Sequence, residues 1–237
     1  SPRLPLNEIN LGPVQADLSL VAGRYLESTL SLAGTQLRAQ LRADLQKSRH
    51  YTFAAELAAL PLAQLDSSLA GTLQGQLRAS GGLDPSALRL DGQLQLLGTA
   101  YQGWQVGDLG LDLEYTAQRA QLLLSGKGLR AVCTLEQGDH LEGQLELNQA
   151  LFHRDHINSL ALSGNLKMVG RTSQLEKIAA EGLLSHLALR QGGWEIRAAD
   201  TLHFTYADQR LRCEPFSLHT PAGVLHLEGS AGQDLLA

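Results

Sequence analysis

The chain has 237 residues, 43% hydrophobic and 5% aromatic, with a formal net charge of −5 and basic residues scattered singly. That balance excludes a nucleic-acid protein, which needs a basic face, and a polybasic membrane-surface protein, which needs a run of Lys and Arg. No stretch approaches the roughly 18 apolar residues of a membrane span, and Ser1-Pro2-Arg3-Leu4-Pro5-Leu6 has no signal-peptide core. The chain is expected to be a piece of a larger protein, with targeting and anchoring segments elsewhere.

Period-two alternation runs along the chain and predicts strands with one apolar and one wet face, the antiparallel pattern. It starts at Leu18 and Leu20, then Leu30 and Leu32, then Leu37, Ala39, Leu41, Ala43 and Leu45. It continues through Leu69, Gly71, Leu73, Gly75 and Leu77, then Leu88 to Leu96, then Leu109, Leu111, Leu113 and Tyr115. Leu141 to Leu147 and Leu160 to Met168 carry it on. Turn signals recur about every 8–12 residues, as in all-β domains. They include Ala33-Gly34-Thr35, Gly81-Gly82, Gln137-Gly138-Asp139, Gln191-Gly192-Gly193 and Ala207-Asp208-Gln209. Only Pro61–Leu65 and Ser173–Ala180 admit a helix, the second through the capping-box spacing of Ser173 and Glu176.

Internal repetition decides the second case. Gly92, Leu94, Leu97, Gly103, Trp104 and Val106 return about ninety positions later as Gly182, Leu184, Leu187, Gly193, Trp194 and Ile196. Leu111, Leu113 and Tyr115 return as Leu202, Phe204 and Tyr206 after a one-residue slip. Leu69-x-Gly71-x-Leu73 matches Leu162-x-Gly164-x-Leu166, and Leu88 and Leu90 fall on Ile178 and Ala180, so strand is expected there. No Pro/Gly/Ser linker separates the copies. One continuous domain is expected over 1–237, with a partial repeat at 1–68 and further units at 69–160 and 161–237.

A sheet with one apolar face must bury it, and no amphipathic helix is available. It can pack on a second sheet as a β-sandwich, or curl around something apolar that is not protein. Strands normally favour β-branched and aromatic residues, yet Leu fills nearly every inward position here, with Ala and Gly between. A uniform leucine lining suits acyl chains, which have no fixed shape. The expected lining is Leu73, Leu77, Leu94, Leu111, Leu113, Leu122, Leu124, Leu145, Leu162 and Leu166, which share strand parity with their repeat partners. Trp104 and Trp194, each after a Gly, admit two places: a ring at the lip of such a groove, or a hairpin end packing over the sheet.

Polar clusters are poor in chemistry. His153-Arg154-Asp155-His156 reads as a solvated loop, and His203, His219 and His226 as wet-face residues. No G-x-S-x-G, P-loop, H-E-x-x-H or G-x-G-x-x-G is present, so no catalytic residue, metal ligand or cofactor is expected. Cys133 and Cys213 read as small apolar strand residues, with a disulfide as the alternative.

Leu69-Ala-Gly-Thr-Leu-Gln-Gly-Gln-Leu-Arg-Ala-Ser-Gly81, followed by Asp84-Pro85 and Leu88-x-Leu90-x-Gly92-x-Leu94, resembles repeats of the AsmA-like superfamily, TamB-type. Ala54-Ala55-Glu56-Leu57-Ala58-Ala59-Leu60-Pro61-Leu62 is similar in style, and the likeness spans most of the chain. The resemblance implies an extended, U-shaped antiparallel sheet, a β-taco, with an apolar inner groove. It implies a non-enzymatic protein of the periplasm, anchored in the inner membrane of a diderm bacterium. Its cargo would be phospholipid acyl chains moving toward the outer membrane, with an outer-membrane β-barrel protein as a further partner. The alternative is a structural module, either an assembly factor for such barrels or an adhesin-like sandwich. An unclosed sheet also has free edges, so edge-to-edge self-association is expected.

Overall fold

The computed structural model describes residues 14–22, 24–32, 37–44, 50–82, 84–136 and 138–232. The turn expected at Ala33-Gly34-Thr35, Leu45 and Gln137 lie outside them. The fold is all-β, 79% strand and 5% helix, and the sixteen strands among the described residues belong to one antiparallel sheet. The chain forms two compact units, Ser1–Gly103 with Gly107–Ala117, and Trp104–Val106 with Gln118–Ala237.

The first unit holds β1 (Val14–Val21), β2 (Tyr25–Leu32), β3 (Leu37–Asp44), β4 (Tyr51–Pro61), β5 (Leu69–Gly81), β6 (Arg89–Tyr101) and most of β7 (Trp104–Thr116). Register keeps like with like. Leu41 lies opposite Phe53, Ala39 opposite Ala55, Ala55 opposite Leu77, and Leu77 opposite Gly92. One face therefore carries the apolar set and the other carries Arg, Gln, Thr and Asp, because side chains alternate along each strand.

The second unit holds β8 (Arg119–Gly126), β9 (Leu129–Glu136), β10 (His140–His153), β11 (Ser159–Arg171), β12 (Ala179–Gln191), β13 (Trp194–Ala198), β14 (Leu202–Ala207), β15 (Arg210–Thr220) and β16 (Gly223–Gly232). Here too alternation sorts the faces: Leu145 faces Ala131 and Leu166, and Leu147 faces Leu129 and Gly164. β13 and β14 both pair with β12 and with β15.

Two-residue turns close several hairpins. Gln102 and Gly103, Gly192 and Gly193, and Asp208 and Gln209 all have positive φ. That is the type I′ pattern, whose twist matches that of the flanking strands.

The same bulge occurs in each unit. Between Leu57 and Leu60, β4 spends one residue more than β5 does between Gly75 and Leu73. Between Leu147 and Ala150, about ninety positions later, β10 does the same against Gly164 and Leu162. Gly75 and Gly164 are thus structural counterparts, and their surroundings agree. A Cβ on Gly75 would lie 2.2 Å from the Gln93 carbonyl oxygen, and one on Gly164 2.2 Å from that of Leu183. This corrects the expected alignment: Leu162-x-Gly164-x-Leu166 corresponds to Leu73-x-Gly75-x-Leu77, not to Leu69-x-Gly71-x-Leu73.

The helical expectations divide. Leu62–Gln64 is a 3₁₀ turn, at the site expected near Pro61–Leu65. The strand expected through Ser173–Ala180 begins only at Ala179, after a 3₁₀ segment, Thr172–Lys177. The cause is Asp139. Its carbonyl accepts from the Thr172 N–H at 2.9 Å, and its carboxylate from the Ser173 N–H at 3.0 Å. The repeat is still kept, because a 3₁₀ turn, Pro85–Ala87, precedes β6 as well.

Candidate functional site

Buried apolar side chains are few among the described residues, four alanines and three leucines. Among the described residues, Ala39, Ala55, Leu60, Leu62, Ala100 and Leu109 are buried in the first unit and Ala150 in the second. Leu62, on its 3₁₀ turn against β5, is 2% exposed. A packed sandwich core would instead hold most of the inward leucines below such values.

The expected groove leucines fall on the apolar faces, five in each unit. In the first unit, Leu73 and Leu77 on β5 share a face with Leu94 on β6, which lies opposite Gly75. Leu113 joins them: a Cβ on Gly92 would meet Leu77 Cδ2 at 2.5 Å and Leu113 Cβ at 3.5 Å. Leu111, two residues away on the same strand, shares that face by alternation. In the second unit, Leu124 faces Ala131, which faces Leu145, which faces Leu166. Leu122 faces Cys133, and Leu162 lies between Ala150 and Leu187. None of the ten is buried. Leu122 is 37% exposed, and the others are half-buried. Each unit thus presents a leucine face that its own strands cover only partly.

Glycine shapes this face as much as leucine does. Gly92 and Gly182 leave space occupied by Leu77 and by the Phe204 ring, which a Cβ would meet at 2.5 Å in each case. Sequence reasoning named these glycines only as repeat markers. Their role as seats for neighbouring side chains shows only once the register is known.

Trp104 and Trp194 are the first residues of β7 and β13, each directly after a type I′ turn. Trp194 lies opposite Gln191 on the leucine face and is 61% exposed, whereas Trp104 is half-buried. Both cysteines are free; Cys133 lies on the leucine face opposite Gly143, and Cys213 opposite Phe204.

The 153–156 cluster is structural. In the 153–156 cluster the Asp155 carboxylate accepts from the N–H groups of Ile157 at 2.9 Å and Asn158 at 2.8 Å. The Ile157 backbone bond and then the Asn158 side chain hold its pKa below the usual carboxylate range. It is a turn cap. His203, His219 and His226 lie on the polar face, His226 with its Nδ1 2.9 Å from Ser217 Oγ. Among the described residues, no three His, Cys, Asp or Glu side chains gather as a metal site.

Comparison with family models, with curated proteins and with solved structures finds no match to this chain.

Proposed function

We propose that this domain is a segment of a periplasm-spanning hydrophobic conduit, along whose leucine faces phospholipid acyl chains pass between inner and outer membrane. The observation that carries this is the half-buried state of Leu73, Leu77, Leu94, Leu113, Leu124, Leu145, Leu162 and Leu166. Apolar surface left open to water costs about 25 cal/mol per Å², and an acyl chain laid on it recovers that free energy without demanding a matched shape. Leucine, alanine and glycine offer no hydrogen-bond partner, so such a face slides along a chain as readily as it holds one.

The test is mass spectrometry of organic extracts from the purified 237-residue chain, with and without Leu113→Arg or Leu166→Asp. Lipid is expected in the parent extract. A charge at either position is expected to deplete it while the variant stays resistant to protease, because a long side chain on a half-open face can reach water. Charged variants that stay folded and keep full lipid loading contradict the conduit. Variants that unfold indicate a packed interior with a structural role.

A second role rests on β16. Among the described residues it pairs with β15 alone, and residues 223–232 contain no proline to blunt that edge. Such an edge accepts an extended strand from a second copy or from an outer-membrane β-barrel precursor. Light scattering at rising concentration tests the first; a strictly monomeric chain excludes it.

A further inference from the structure

We propose that the polar face of the second unit carries a binding site for an amphipathic phosphate, a phosphate ester with a short apolar group, centred on Ala188. In the sheet, Ala188 on β12 lies opposite Ala161 on β11 and Arg197 on β13. Along its own strand His186 and Arg190 flank it, on the same face by alternation. One small residue is therefore ringed on three sides by basic side chains. The depression they enclose is about 460 Å³ and opens to solvent.

The fourth side carries Leu151 and, two residues further along β10, His153. From Ala188 the floor continues across Ala161 to Leu151, its direct partner on β10, which is 48% exposed although it lies on the polar face. Ser159, beside Ala161 on β11 and opposite Arg190, adds a hydroxyl to the floor. The shape is a cationic head pocket joined to a short hydrophobic track.

Charge counting leaves the head pocket positive. Glu195 is the one acidic residue of the lining, and it accepts from Arg197 at 2.8 and 2.9 Å. It also lies 3.9 Å from Arg190. A guanidinium has five N–H donors, so one carboxylate does not saturate two of them. Both arginines are exposed, at 59% and 61% of their side chains. Arg190 and Arg197 stand diagonal across the strand pair, about 7–8 Å apart at their bases. Two guanidinium forks on one face suit a tetrahedral anion, for which Arg is favoured over Lys.

The fold does not demand these charges. Register places Leu97 and Ala100 where the second copy has Ala188 and Arg190, and ninety positions before Glu195 and Arg197 stand Gln105 and Gly107. The first copy builds the equivalent strands with no ionised group at those positions. The basic ring is an addition to the second copy, and it lies on the face opposite the leucines.

The test is amide NMR of the isotope-labelled 237-residue chain titrated with hexyl phosphate and with inorganic phosphate, alongside flotation with phosphatidylglycerol vesicles. Hexyl phosphate is expected to move the amides of Ala161, Ala188, Arg190 and Arg197. It is expected to bind about tenfold more tightly than inorganic phosphate, which is 1.4 kcal/mol. Arg190→Gln combined with Arg197→Gln is expected to weaken it at least about tenfold with amide dispersion unchanged. Binding lost in that variant supports the site, and the arm in which it occurs, soluble ester or vesicle, names the source of the phosphate. Shifts at Leu145, Leu162 and Leu166, equal affinity for the two phosphates, binding unchanged in the variant, or no binding in either arm each overturn it.

Discussion

The two units solve the same backbone problem with different amounts of interior. In both, a long strand bulges at an equivalent place, and a glycine on the partner strand receives a carbonyl oxygen where a side chain would stand. After the bulge they part. In the first unit β4 ends at Pro61 and a 3₁₀ turn drives Leu62 into full burial. In the second, β10 runs on through Phe152 to the Asp155-capped turn, and among the described residues Ala150 alone is a buried hydrophobic. Backbone irregularities shared by both copies belong to the fold. Features that differ, the Leu62 plug in one and the basic ring around Ala188 in the other, are free to serve something else.

Five substitutions measure that difference. The largest effect is expected from Gly75→Ala and Gly164→Ala, because each Cβ would meet backbone rather than a movable side chain. Each is expected to cost about 3 kcal/mol or more, read as a lowered denaturant midpoint. If only one of the two destabilises, the bulges are not equivalent. Leu62→Ala comes next, at about 2–5 kcal/mol for a filled site.

Leu166→Ala, on the half-open face, is expected to cost about 1 kcal/mol, since part of its surface already meets water. A Leu166 cost equal to that of Leu62 would show a face packed as tightly as the plug.

The smallest effect is expected from Asp139→Asn. The Ser173 backbone N–H, then the Ser173 hydroxyl, hold the Asp139 pKa below its ordinary value. A lowered carboxylate pKa contributes stability that is fully present above the ordinary value near 3.9 and lost as pH falls through the lowered one. The parent-minus-variant difference in melting temperature is therefore expected to be flat from pH 7 to about 5 and to shrink toward pH 2. A difference that grows on acidification would reverse the sign.

Strand and face were legible because a period of two survives translation into a pleated sheet. Leu122, Leu124, Leu145 and Leu166 needed only their parity to be placed together. Repeat phase was not legible, and the reason is the same period. A Leu-x-Gly-x-Leu pattern matches itself after any slip of two, so Gly71 and Gly75 were equally good partners for Gly164 in sequence. Only the bulged register, Leu57 opposite Gly75 and Leu147 opposite Gly164, tells them apart. The start of β12 was misplaced because the hydrogen bond that holds Ser173 in a turn comes from Asp139, 34 residues away. The basic ring was invisible for a related reason: His186, Arg190 and Arg197 stand singly in the chain, and register alone gathers them around Ala188.

The type I′ turns have a kinetic consequence. Nearly every strand bonds to the one just made, and the closing turns at Gln102-Gly103, Gly192-Gly193 and Asp208-Gln209 span two residues. Loop closure therefore costs little at each step, because most pairings join strands that follow one another in the chain. Such a chain zips from any formed hairpin, one neighbour at a time, as repeat arrays do. It has no need to wait for its distal end, which suits a polypeptide that acquires structure progressively as it emerges from a ribosome or a translocation pore.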